Sequence, residues 1–198
     1  IIYLSKNKYA YLKNKLSNGH FKNSTNFQNL NFLFELSKLM KLNLKTVIKT
    51  INKFKPLKFR QEVIHQSKYL KIINDSKSTT LSSTVPFLES NEKIIWILGG
   101  LFKKGDKFNL NKKYFKNLEA YIYGKDRKVF LKLFKNKIKV NLSKDLRNTL
   151  KIIPNLKDIR TKVTVLFSPS GASFDQYKNF EERGRQFNML IKRYLPIE

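Results

Sequence analysis

The sequence predicts an α/β fold: a Rossmann-like, mostly parallel sheet with helices on both faces, preceded by a small helical segment. Three observations predict it. Helical patterns run from Asn26 to Phe54 and stop at Lys55-Pro56, and proline disfavours helix in the residue before it. Beyond that point short apolar runs alternate with helical patterns, the signature of a parallel sheet with crossover helices. Four of the apolar runs lead into loops rich in small and polar residues, where an open α/β sheet binds its ligands.

The elements follow in order. Ile1–Leu4 suits a strand and Lys6–Leu16 a short helix, although residues 1–24 carry no decisive pattern. Asn26–Met40 reads as a helix with apolar positions at Leu30, Leu33, Phe34 and Met40 and Thr25 as N-cap. Leu44–Phe54 is a second helix. Strands are expected at Glu62–His65, Tyr69–Asn74, Ile94–Leu98, Ala120–Tyr123, Ile138–Val140 and Val163–Phe167. The first two are close enough to form a hairpin through Gln66–Lys68. Helices are expected at Thr80–Leu88, Lys112–Asn117, Arg127–Leu133, Ser143–Ile153 and Tyr177–Tyr194. Two domains result, residues 1–55 and 56–198.

Composition narrows the function classes. The absence of cysteine excludes disulfides, thiolate metal sites and cysteine nucleophiles. Two histidines, His20 and His65, exclude a histidine-rich metal site. No apolar run reaches the ~20 residues of a membrane span, and Ile1–Leu4 has no signal-peptide flanks. The net charge of +27 favours polyanions electrostatically. The lysines are scattered, however, with heavy Asn and Ile usage, and no zinc-finger spacing or RNA-binding aromatic signature accompanies them. A solvated basic surface is therefore preferred to specific nucleic-acid binding. A basic nucleic-acid-binding or ribosomal protein is the competing reading. The chain starts without Met and in mid-pattern, and is expected to be the C-terminal piece of a longer one.

In a parallel sheet the loops beginning at Asn74, Gly99, Gly124 and Ser168 share one carboxyl edge. Their chemistry is anion capture. Lys77 and Lys103 supply cations, and Ser173 with Gln176 forms a capping-box pattern that places a helix N-terminus just after it. Phe174, Tyr177 and Phe180 can wall one side. Plainer roles remain open: Ser173 as a helix cap, Phe180 as core on a stripe with Phe187, Leu190, Ile191 and Tyr194, Lys103 as a solvated lysine, and Asp75 as a cap for the next helix. Neither GxxxxGK[ST] nor GxGxxG occurs, so no complete ATPase or dinucleotide site is encoded.

INDSKSTT (73–80), ILGGLFKKGDKF (97–108) and SPSGASFDQYKNFEERGRQF (168–187) resemble the C-terminal portion of the Mur ligase family, and its D-glutamate-adding branch in particular. Asn26-Phe27-Gln28-Asn29 is similar to a helix start of that family, and Phe54–Glu62 to its interdomain linker. The resemblance implies that residues 1–55 are the remnant of a central ATP-binding domain. It also implies a cytoplasmic, monomeric peptidoglycan ligase that uses ATP and Mg²⁺. Its substrates would be D-glutamate and UDP-N-acetylmuramoyl-L-alanine. Lys77, Thr79, Lys103, Ser173, Phe174 and Phe180 would hold D-glutamate, and Asn26, Asn29, Arg60 and Asp75 the nucleotide. Catalytic residues and metal ligands would lie upstream, leaving the fragment inactive alone. Thr25 and Phe59 stand where the family has histidine, Thr80 where it has asparagine, and Ser170-Gly171 where it has Ala-Cys. A sibling ligase of the Mur or folylpolyglutamate type is the second alternative.

Overall fold

The computed structural model describes residues 5, 8–22, 24–156 and 159–195. The strand expected over residues 1–4 lies outside them. Two compact units divide between Pro56 and Leu57.

The first unit is helical. Two 3-10 segments, Ala10–Lys15 and Gly19–Lys22, precede α1 (Ser24–Leu39) and α2 (Leu44–Lys53). Leu12, Leu16, Phe21, Phe27, Leu30, Phe34 and Ile51 form its core. Asn43 caps α2 by accepting the Lys45 and Thr46 amides at 2.9 and 3.3 Å. Two expectations are corrected. Thr25 lies inside the first turn of α1, because the helix begins one residue earlier. Met40 lies just past the end of α1 rather than inside it, and of the apolar positions Leu30 and Phe34 are buried while Leu33 and Met40 are exposed.

The second unit is a three-layer α/β/α structure. Its strands are β1 (Glu62–Gln66), β2 (Leu70–Asn74), β3 (Lys93–Gly99), β4 (Leu118–Tyr123), β5 (Lys139–Leu142) and β6 (Val163–Phe167). They lie in the order β1-β2-β6-β3-β4-β5, and every pairing is parallel except the β1–β2 hairpin. The helices are α3 (Leu81–Leu88), α4 (Arg127–Phe134), α5 (Leu146–Ile152) and α6 (Phe180–Tyr194).

Alternate side chains of a strand face opposite layers, so one strand feeds two cores. Ile95 and Ile97 of β3 pack with Val165 and Phe167, beneath Leu146 and Leu150 of α5 and Phe187, Leu190 and Ile191 of α6. Ile94, Trp96 and Leu98 pack on the other face with Leu81 and Leu88 of α3 and Phe130 and Phe134 of α4. Trp96 spans the layers chemically: its ring is fully buried while its Nε1 donates to the Ser168 carbonyl at 2.9 Å.

One expected helix differs in type, and the starts of α5 and α6 shift by three residues each. Lys112–Asn117 is a 3-10 turn. α5 starts after Asp145, whose carboxylate accepts the Asn148 amide at 2.8 Å. α6 starts at Phe180 rather than Tyr177, because Asn179 Oδ1 accepts the Glu182 amide and Glu182 Oε2 accepts the Lys178 amide, which fixes its first turn.

Candidate functional site

The parallel register places the carboxyl ends of β2, β6, β3 and β4 side by side, and the four loops that leave them are bonded together. Ser168 N donates to Ile97 O at 3.2 Å, and Gly99 N donates to Pro169 O at 2.8 Å. Leu101 and Ala172 exchange two 2.9 Å backbone bonds across an isolated antiparallel bridge. Ser170 N reaches Ser78 O at 2.9 Å, which joins the β2 and β6 loops. The β4 loop enters through Lys125 N, which donates to Asp175 Oδ2 at 2.9 Å.

Close approach explains Gly100. Its φ is +107°, and a Cβ there would stand 2.2 Å from Ala172 O.

Beneath the loops lies a buried hydroxyl network. Thr84 Oγ1 of α3 is within 2.7–2.9 Å of the hydroxyls of Ser78, Ser168 and Ser170. Ser168 Oγ also donates to Asp75 Oδ2 at 3.2 Å, while Asp75 Oδ1 accepts the Gln61 amide at 3.1 Å. Asp75 therefore braces the segment before β1 and is no helix cap; Thr80 caps α3 instead. Burial raises the Asp75 carboxyl to about 7, against opposing contributions from Gln61, Ser168 and the Arg60 charge.

A second buried group completes the frame. The Arg183 guanidinium is fully buried and donates to Ser76 Oγ (3.1 Å), Ser76 O (2.8 Å) and Gly171 O (2.8 Å). It thus clamps the β2 loop to the β6 loop using carbonyl acceptors rather than a carboxylate. Its burial lowers its pKa. Gly184 follows it, because the Phe59 ring lies where a Cβ would project, 2.4 Å away.

The residues expected to hold an anionic substrate fall on these loops. Lys77 Nζ sits 4.2 Å from the Phe180 ring centroid. Phe180 is half-buried at the first position of α6 and is absent from the core cluster, so the core reading of that residue is corrected. Thr79 is half-buried beside Ser78. Lys103 is exposed, two residues beyond the Leu101–Ala172 bridge. Ser173 is buried on the other side of that bridge, and Phe174 is 71% exposed. Ser173 does not cap a helix: its carbonyl accepts the Gln176 and Tyr177 amides of a single turn.

The expected nucleotide contacts divide between the units. Arg60 is exposed near Asp75. Asn26 and Asn29 lie on α1 in the helical unit, where the Asn26 amide donates to His20 O at 2.9 Å and Asn29 is exposed. Among the described residues no three His, Asp or Glu side chains gather as a metal site.

Arg183, Ser76 and Ser168 escaped the sequence reading. Arg183 and Gly184 stand three and four residues after Phe180 and before Phe187, on the same buried stripe of α6. A charged residue on an apolar stripe is the signal that could have found them.

No family model matches the chain. Curated relatives do. The chain is 37% identical over 197 residues to UDP-N-acetylmuramoylalanine-D-glutamate ligase of Buchnera aphidicola subsp. Schizaphis graminum, covering 97% of this chain and 43% of that protein. It is 31% identical over 171 residues to the enzyme of the same name from Wolbachia sp. subsp. Brugia malayi, covering 86% of this chain and 34% of that protein. The chain belongs to the Mur ligase family. It spans between a third and a half of the length of these relatives and is similar to their C-terminal portion. The fold agrees with solved Mur ligases. MurC from Thermotoga maritima superposes with a TM-score of 0.61 at 18% identity, over 86% of this chain and 37% of that one. MurF from Acinetobacter baumannii gives 0.57 at 15% identity, over 84% and 38%.

Proposed function

We propose that this Mur ligase chain is the D-glutamate-holding, C-terminal part of an ATP-dependent ligase that adds D-glutamate to UDP-N-acetylmuramoyl-L-alanine. The observation that carries this reading is the bonding of the β2, β3 and β6 loops into one edge. Those loops present Lys77 and Thr79, Lys103, and Ser173 with Phe174. Two cations on separate loops suit a dicarboxylate, and the relatives' names specify D-glutamate.

In this reading Lys77 and Lys103 pair with the two carboxylates, and the Ser173 hydroxyl and the Thr79 side chain fix the orientation. The Phe180 ring holds the Lys77 ammonium in place. D-glutamate so held presents its amine nitrogen to the carbonyl carbon of an acyl phosphate formed by ATP, and phosphate leaves as the amide bond closes. Arg60 and Asp75 take the nucleotide side, with Asn26 and Asn29 supplied by the helical unit, a remnant of the ATP-binding domain. Mg²⁺ neutralises phosphate charge in such reactions; the described residues gather no site for it, and the roles assigned to them involve none.

Steady-state kinetics of the full-length enzyme test the reading. Lys103→Ala and Ser173→Ala are expected to raise the D-glutamate KM by about 5-fold to 150-fold each, the scale of a lost charged or hydroxyl contact of roughly 1–3 kcal/mol. Unchanged D-glutamate KM values in both variants would refute it. The 198-residue chain alone is expected to form no product from ATP and the two substrates.

A further inference from the structure

The Lys103 ammonium makes no ion pair or hydrogen bond among the described residues, so only its main chain positions it. That main chain is a tight turn: Asp106 N donates to Lys103 O at 3.1 Å, with Gly105 at a φ of +81°. The turn has one side-chain tether to α3. Asp106 Oδ2 accepts the Leu81 amide and Asp106 Oδ1 the Ser82 amide at 3.3 Å. Leu81 and Ser82 open α3, directly after Thr79 and Thr80, and Thr80 Oγ1 accepts the Ser83 amide at 3.3 Å. Between them Asp106 and Thr80 engage the free amides of the helix's first turn.

The consequence is geometric. Lys103 and Thr79 come from different strands, and no side chain of either joins them. Asp106 bonds the turn carrying one to the helix start that follows the other. We infer that Asp106 is a positioning residue that sets the spacing between Lys103 and Thr79, and through it the affinity for the amino-acid substrate. This inference rests on the D-glutamate reading of the site. The Asp106 carboxylate also occupies the N-terminus of α3, so at that helix end a substrate carboxylate is left to the lysines.

The test measures KM for D-glutamate, KM for ATP, kcat and the melting temperature in the full-length enzyme, for Asp106→Ala, Asp106→Asn and Lys103→Ala. Asp106→Ala is expected to raise the D-glutamate KM about tenfold, as loss of a cap and release of the turn imply. Its ATP KM should stay within about twofold, which a general loss of structure would not produce. Asp106→Asn keeps one acceptor oxygen and should fall between wild type and Asp106→Ala. If Asp106→Ala does not fold, Asp106→Asn decides alone, with about a threefold rise expected. A raised D-glutamate KM in Lys103→Ala with wild-type values in both Asp106 variants overturns the positioning role only. A flat KM in Lys103→Ala overturns the substrate reading and this inference with it.

Discussion

Arg183 and Gly171 are joined by a 2.8 Å hydrogen bond from Nη1 to the Gly171 carbonyl, which ties α6 to the turn leaving β6. The other two donations of the same guanidinium go to Ser76, on the loop leaving β2. One side chain therefore sets the separation of two loops. Arg183→Ala would leave the Ser76 and Gly171 carbonyls without donors at a site closed to water, while the Ser76 hydroxyl keeps its 2.8 Å bond to the Phe180 carbonyl. A buried unsatisfied polar group costs ~1–3 kcal/mol, so the expected loss is at least about 2 kcal/mol. Arg183→Lys restores a single ammonium centre but not the fork, and should recover only part of it. Urea midpoints of the two variants check both values.

Gly184 and Phe59 make a coupled pair. Glycine in a helix interior costs ~1 kcal/mol relative to alanine, so Gly184 in the first half of α6 opposes helix formation. It is there because the Phe59 ring fills the space beside it. Gly184→Ala is expected to destabilise by about 1–3 kcal/mol through overpacking. In a Phe59→Ala background the same change should cost nothing, or stabilise by up to ~1 kcal/mol as propensity takes over. A double-mutant cycle from urea unfolding reads the coupling. Equal costs in the two backgrounds would show that the ring does not dictate the glycine.

These two pairs also show where the sequence was legible. Ile94–Leu98 and Val163–Phe167 were readable as strands because local hydrophobicity alone places them inside. The insertion of β6 between β2 and β3 was not readable, since it depends on packing between segments about 65 residues or more apart. The loops carrying Lys77, Lys103 and Ser173 could be assigned to one edge from alternation and polarity. Of the groups that hold those loops together, Arg183 left a trace as a charge on the apolar stripe of α6, whereas Asp106 looks like an ordinary surface charge until its donors arrive from the start of α3.

Asp75 gives the pH dependence. Its folded value of about 7 stands well above the ordinary 3.8, because burial penalises the carboxylate. The folded state therefore binds the proton more tightly than the unfolded state. The resulting stability is fully present below about pH 4 and is lost as pH rises through about 7. Asp75→Asn cannot ionise, yet its amide can still accept from Gln61 N and donate to Ser168 Oγ. The wild type should lose stability relative to this variant between about pH 4 and 7, by up to about 4 kcal/mol for a shift of this size. Urea unfolding of both proteins across that range checks it. A difference independent of pH would show that Asp75 titrates normally.

Ser173 with Gln176 and Asn179 with Glu182 both fit a capping box, and spacing alone cannot choose between them. The structure chooses through tertiary bonds. Ala172 is held by Leu101 on the β3 loop, so the chain at Ser173 completes one turn and stops. Asn179 has no such restraint: its Oδ1 accepts the Glu182 amide at 2.8 Å, and Glu182 Oε2 accepts the Lys178 amide at 2.7 Å. Asn179→Ala should therefore lower stability by about 1 kcal/mol and increase amide exchange in the first turn of α6. Ser173→Ala should leave exchange in that turn unchanged, because its hydroxyl supports no helix. Faster exchange at Glu182 in Ser173→Ala, with none in Asn179→Ala, would return the cap to Ser173.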